Sequence, residues 1–120
     1  MASVLILEDE ILVALDLEMT LDEFGMEQVH VTHSADQALA VLDAFEVDLA
    51  IVDFNLGAQT SEPVLRLLEQ RAIPFVVMTG YTHHTHLGSG AEHWPLLSKP
   101  ATPAALRAMI ATLGQAGLTA

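Results

Sequence analysis

The chain has 120 residues, of which 52% are hydrophobic and none is cysteine. These values favour one domain with a real hydrophobic core, and they exclude disulfide scaffolds, thiol nucleophiles and cysteine-ligated metal sites. Sixteen acidic residues face four basic ones, for a net charge of −12, so nucleic acid and anionic membrane surfaces are poor partners. With no signal peptide and no apolar run long enough to span a membrane, we expect a soluble cytoplasmic protein.

Hydrophobic periodicity predicts strands and helices in alternation along the chain. The first half gives, in order, a strand over Val4–Leu7, a helix over Ile11–Phe24 that Gly25 stops, a strand over Gln28–Thr32, and a helix capped by Ser34 with Ala38, Leu39, Leu42 and Phe45 on one face. The second half gives a strand over Leu49–Val52, a loop over Phe54–Thr60, a helix over Glu62–Arg71, a strand over Phe75–Met78, a strand at Leu96–Leu97, and a helix from Pro103 to Leu113 that Gly114 stops.

This alternation predicts an α/β fold with helices on both faces of a parallel sheet. Right-handed crossovers favour a doubly wound five-stranded sheet of order 2-1-3-4-5. The stretch Tyr81–His93 offers no apolar face, so the fourth helix is expected to be short or replaced by a loop. The predicted domain takes residues 1–120 and leaves nothing for an output domain.

Polar residues follow four of the predicted strands. They are Glu8–Glu10 after the first strand, Asp53 after the third, Thr79 after the fourth and Ser98–Lys99 after the fifth. Carboxyl ends of parallel strands meet at one sheet edge, where sites form. Gathered carboxylates need a cation, and hard oxygen ligands suit Mg²⁺. A carboxylate can also accept a phosphoryl group, whose oxygens a cation, a lysine and a hydroxyl would neutralise. Lys99 is the only lysine.

Four short motifs, in this order and spacing, resemble the receiver domain of two-component response regulators over essentially the whole chain. The motifs are Ile6–Glu10, Ile51–Leu56, Val77–Tyr81 and Leu97–Pro100. The resemblance implies a flavodoxin-like, CheY-like fold. It also implies a phosphoprotein of signal transduction that assists its own phosphorylation and dephosphorylation, rather than an enzyme.

The resemblance implies a role for each matching residue. Asp53 would be the phosphoacceptor, Thr79 would supply the switch hydroxyl, and Lys99 would contact the phosphoryl oxygens. The implied Mg²⁺ ligands are Glu8, Asp9, Asp53 and the backbone carbonyl of Asn55, with Asp9 a direct ligand. Most receivers carry Tyr or Phe three residues before the lysine, where this chain has Leu96. Tyr81 and Trp94 are the candidates to replace that switch aromatic.

A narrower likeness concerns Ile73–Tyr81 and Pro95–Pro100. They are similar to a stand-alone receiver group of alphaproteobacteria with a Phe-Ala-Thr-Gly-aromatic motif, although Val77 and Met78 stand here for Phe-Ala. The likeness implies a sensor histidine kinase, such as one of the HWE class, or a phosphotransfer protein as partner. The chain would act by protein contact or as a phosphate sink, as a monomer or weak dimer.

Two other readings stay open. A pseudo-receiver would be an interaction module that is never phosphorylated; the change at Leu96 favours it, and the intact acids, Thr79 and Lys99 oppose it. A small phosphatase using Asp53 as nucleophile would need a second acid two residues later, where Asn55 stands.

Overall fold

The computed structural model describes residues 3–57, 59–80, 94–99 and 101–116, with side chains up to residue 112. Within these ranges the elements are, in chain order, β1 (Ser3–Leu7), α1 (Ile11–Glu23), β2 (Gln28–Thr32), α2 (Ala35–Ala44), β3 (Leu49–Asp53), β4 (Asn55–Leu56), β5 (Gln59–Thr60), α3 (Glu62–Gln70), β6 (Phe75–Thr79), β7 (Leu96–Ser98) and α4 (Pro103–Ala116). None of the helices in these ranges is long and apolar enough to cross a membrane.

Five strands form one parallel sheet in the order β2-β1-β3-β6-β7. Because β4 and β5 form a separate two-stranded sheet, β6 and β7 are the fourth and fifth strands of the main sheet. The predicted doubly wound order 2-1-3-4-5 is therefore confirmed. The expectation of a short or missing fourth helix falls on Tyr81–His93, which lies outside the described residues.

The central strands are buried on both faces, which explains their continuous apolar runs. Side chains alternate between the faces along each strand. Leu5 and Leu7 pack in the core cluster that holds α2 and α3. Val4 and Ile6 pack in the cluster that holds α1 and α4. The two cores fix the strands from both sides, so their carboxyl ends form a rigid edge.

Each of the four predicted helices ends at a different residue in the structure: α1, α2 and α3 end one residue earlier than predicted, and α4 ends later. Phe45 follows the last residue of α2 with extended backbone, and its side chain is 53% exposed and tilts against His30 at 4.7 Å between ring centroids. The prediction that Phe45 lies on the buried face of this helix is therefore wrong. α4 continues past Gly114 to Ala116. A glycine lowers helix stability by about 1 kcal/mol but does not by itself end a helix.

The predicted loop over Phe54–Thr60 contains a small antiparallel hairpin. Asn55 pairs with Thr60 and Leu56 pairs with Gln59. Gly57 turns the chain with φ +80, a left-handed conformation that glycine adopts without steric cost. This hairpin begins two residues after Asp53, so it brings extra backbone to the carboxyl edge of the sheet.

Candidate functional site

The residues predicted from separate strand ends come together at the carboxyl edge of the sheet. Glu8 and Asp9 follow β1, Asp53 ends β3 and Lys99 follows β7. Asp53 pairs with Met78 in the sheet register, which places the end of β6, at Thr79, beside it. The backbone N–H of Lys99 donates to the carbonyl of Thr79 at 3.0 Å, which anchors the lysine to β6.

Asp53 is almost fully buried, with 2% of its surface exposed. Its Oδ2 accepts a hydrogen bond from Lys99 Nζ at 2.9 Å, and its Oδ1 accepts one from the backbone N–H of Asn55 at 3.4 Å. A buried carboxylate needs such partners, because an unpaired buried charge is costly. The two bonds hold the carboxylate in one orientation.

Glu8 is the second buried acid of this edge, with no exposed surface. Its Oε2 accepts a hydrogen bond from the backbone N–H of Glu10 at 3.2 Å. Its Oε1 forms an ion pair with Lys99 Nζ at 3.1 Å, but the angles of this contact are not those of a hydrogen bond. Burial, and then the neighbouring Asp53, raise the pKa of Glu8 to about 7. Burial lowers the pKa of Lys99, but its contacts with Asp53 and Glu8 outweigh that effect, so the pKa lies above its ordinary value.

One lysine therefore faces several acids. Carboxylate oxygens of Glu8, Asp9 and Asp53 lie within 4.8 Å of one another, and Asp9 is open to solvent. Three carboxylates this close repel one another unless a cation sits among them. Hard oxygen donors with an open side are the donor set that Mg²⁺ takes while keeping some of its waters. These residues fit a divalent cation.

The β4–β5 hairpin borders the acidic cluster, and sequence reasoning missed it. A Cβ added at Gly57 would lie 3.8 Å from Asp9 Oδ2, so the turn stands beside the exposed acid. Asn55, whose carbonyl is the expected further ligand, opens β4. Gly57 in a polar stretch was the available signal for a turn.

The structure describes one of the two candidates for the missing switch aromatic, Trp94. Leu96 is half-buried in β7 and pairs in register with Val77. Trp94 is 2% exposed, and its ring lies 6.4 Å from that of Phe54 and 6.2 Å from that of Phe75. Phe54 follows Asp53 directly in the sequence, so Trp94 packs against the residue next to the buried aspartate. Tyr81 lies outside the described residues.

The buried Glu8 should make the stability of the metal-free protein depend on pH. Its pKa is raised from 4.5 to about 7, so the folded state binds the extra proton and the free energy of unfolding falls as pH rises through that window. Glu8→Gln removes this titration. Above pH of about 7 we expect the variant to be more stable than the wild type by on the order of 3 kcal/mol, and below pH of about 4 to match it.

Urea unfolding in EDTA at a series of pH values measures this difference. Glu27→Gln, which neutralises an exposed acid, serves as the control. A constant stability difference between Glu8→Gln and the wild type across the series would contradict the expectation.

Comparison with known proteins gives the family. Residues 4–111 match the response regulator receiver domain. The chain is 29% identical over 110 residues to the phyllosphere-induced regulator PhyR of Methylorubrum extorquens, a match covering 89% of this chain and 41% of that protein. The chain thus spans about two fifths of that curated relative.

Two solved structures share the fold over nearly their full length. SdrG from Sphingomonas melonis Fr1 is 31% identical with a TM-score of 0.74, covering 94% of this chain and 96% of its own. A CheY-like response regulator receiver domain from Methylobacillus flagellatus is 26% identical with a TM-score of 0.77, covering 94% and 98%. The resemblance that the four motifs indicate is confirmed. The acidic edge and the sheet order agree with the family match, and this chain belongs to the response regulator receiver domain family.

Proposed function

We propose that the chain receives a phosphoryl group on Asp53, in a Mg²⁺-dependent reaction, from a sensor histidine kinase or a phosphotransfer protein. One observation carries the proposal. A buried aspartate at the end of a central strand lies 2.9 Å from the only lysine of the chain and beside two further carboxylates. This arrangement combines a nucleophile, a fixed cation and a site for a second cation.

In the proposed transfer, a carboxylate oxygen of Asp53 attacks the phosphorus of a phosphohistidine. The new O–P bond forms as the P–N bond breaks, and the imidazole leaves with the electron pair and takes a proton from solvent. Bound Mg²⁺ would neutralise charge on the phosphoryl oxygens, held by Glu8, Asp9, Asp53 and the Asn55 carbonyl. Lys99 would move its contact from Asp53 Oδ2 to a phosphoryl oxygen. The Thr79 hydroxyl would donate a hydrogen bond to a second phosphoryl oxygen.

The product would be a long-lived signal rather than a turnover intermediate. Receiver domains are typically signalling modules without enzymatic output. A phosphatase of this type would need an acid two residues after Asp53, and the exposed residue there is Asn55. We therefore propose a phosphoacceptor whose phosphorylated form is recognised by a partner protein, or which acts as a phosphate sink that removes phosphoryl groups from a kinase.

The proposed partners follow from charge. Residues 1–53 carry thirteen acids and no lysine or arginine. Such a field favours a basic docking surface and raises the association rate with it. We propose a cytoplasmic receiver, monomeric or weakly dimeric, that is phosphorylated by a kinase such as one of the HWE class.

Intact-mass measurement of the wild type with acetyl phosphate tests the proposal. We expect a gain of one phosphoryl group with Mg²⁺ and none when EDTA replaces it. If neither acetyl phosphate nor a phosphorylated kinase transfers the group, and calorimetry detects no Mg²⁺ binding, the chain is a pseudo-receiver that acts by contact alone.

A further inference from the structure

Ser61 stands at a helix cap but makes a different bond. It is the N-cap residue of α3, where a serine usually accepts a hydrogen bond from a backbone N–H of the first turn. Its side chain makes no such bond. The hydroxyl donates instead to the carbonyl of Phe54 at 3.3 Å, and the Ser61 backbone N–H donates to the same oxygen at 2.9 Å. The side chain therefore serves the loop after Asp53, not its own helix.

The carbonyl of Phe54 lies at the base of the β4–β5 hairpin, directly before β4 begins. The backbone N–H of Phe54 donates to the carbonyl of Met78 at 3.0 Å, which ties this residue to β6. β4 starts after Phe54 and β5 ends before Ser61, so the two bonds between Phe54 and Ser61 close the hairpin. Ser61 is fully buried, so water cannot take the place of its bond.

The hairpin in turn places backbone beside the acidic cluster. The N–H of Asn55 donates to Asp53 Oδ1 at 3.4 Å, and the turn at Gly57 stands next to Asp9 Oδ2. A shift at the base of the hairpin would therefore move the Asn55 peptide relative to both acids.

We propose that Ser61 is a positioning residue for the divalent cation. Its hydroxyl holds the hairpin so that the Asn55 peptide stays at the acidic cluster. This inference rests on the proposed function, because it takes the cluster to bind Mg²⁺. An alanine at this position keeps the backbone bond to Phe54 and loses only the bond from the hydroxyl, so the hairpin loosens without being lost.

Calorimetric Mg²⁺ titration and urea unfolding of three variants test the role. We expect Ser61→Ala to bind Mg²⁺ about tenfold more weakly, as when an outer partner of a metal ligand is removed. Ser61→Thr retains the hydroxyl and should stay within about twofold of the wild-type affinity. Ser34→Ala is the matched control, because the Ser34 hydroxyl caps α2 by accepting from the Gln37 N–H at 3.2 Å. It should lose stability and keep the wild-type affinity.

Wild-type Mg²⁺ affinity in Ser61→Ala would overturn the inference and leave the proposed function standing. An equal loss in Ser61→Ala and Ser61→Thr would also overturn it, because packing rather than the hydroxyl would then matter. A wild type that binds no Mg²⁺ would overturn both. If Ser61→Ala does not fold, Ser61→Cys takes its place, since a thiol is a weaker donor of similar size. Weaker Mg²⁺ binding then supports the inference, and wild-type affinity overturns it.

Discussion

Asp53→Asn should take up no phosphoryl group from acetyl phosphate and Mg²⁺ under conditions in which the wild type takes up one. The substitution replaces the nucleophilic carboxylate with an amide of nearly the same shape. An asparagine oxygen can still accept the bond from Lys99 Nζ, which is 2.9 Å from the carboxylate in the wild type. The variant also removes one of three clustered negative charges, so we expect it to fold and to unfold at no lower temperature.

Intact mass and thermal unfolding measure these two expectations. Asp43→Asn is the matched control, because the Asp43 side chain is 78% exposed and pairs with Arg71 at 3.5 Å, away from the acidic cluster. It makes the same change in net charge away from the site and should take up one phosphoryl group. A phosphoryl group on Asp53→Asn would assign the acceptor to another residue.

Lys99→Met should lower the rate of phosphoryl uptake by roughly a hundredfold, the size of effect seen when one preorganised positive contact is removed from a transition state. It should also destabilise the metal-free protein by about 2 kcal/mol, since Asp53 and the buried Glu8 lose their shared cation. Methionine keeps most of the length and apolar surface of the lysine. The loss of stability therefore measures the contribution of the ammonium charge and of its contacts with Glu8 and Asp53.

Rapid-quench mass measurements and urea unfolding check the two effects. Added Mg²⁺ should narrow the difference in stability from the wild type, because a bound cation supplies part of the missing charge. Arg107→Met is the control, since the Arg107 guanidinium lies over the Phe24 ring at 4.3 Å, on the face formed by α1 and α4. Uptake by Lys99→Met at the wild-type rate would contradict the role given to the lysine.

The sheet and the position of the site could be predicted because both depend on short local patterns. Continuous apolar runs identify strands buried on both faces, and parallel strands leave their carboxyl ends at one edge. Glu8, Asp53 and Lys99 were found in this way, one strand end at a time. The structure places them together; their roles in phosphoryl transfer remain predictions.

The details that were missed depend on contacts across the fold. Ser61 has the sequence of an ordinary helix cap, and only its buried bond to Phe54 shows a different partner. Phe45 follows the helical spacing of α2, but the helix ends one residue before it. Trp94 stands in a segment with little periodicity, and its place beside Phe54 comes from tertiary packing. Periodicity carries no information on such long-range choices.

The isolation of Lys99 gives this chain its own chemical reporter. It is the only lysine, so its Nζ is the sole side-chain primary amine, and it lies within 3.1 Å of two carboxylates. An amine-selective reagent therefore modifies side chains at one place, where its speed depends on how firmly the ammonium is held. Acylation there would both delete the charge and mark the molecule that lost it, so labelling measured at Lys99, apart from the terminal α-amine, reports the state of the site without any partner protein.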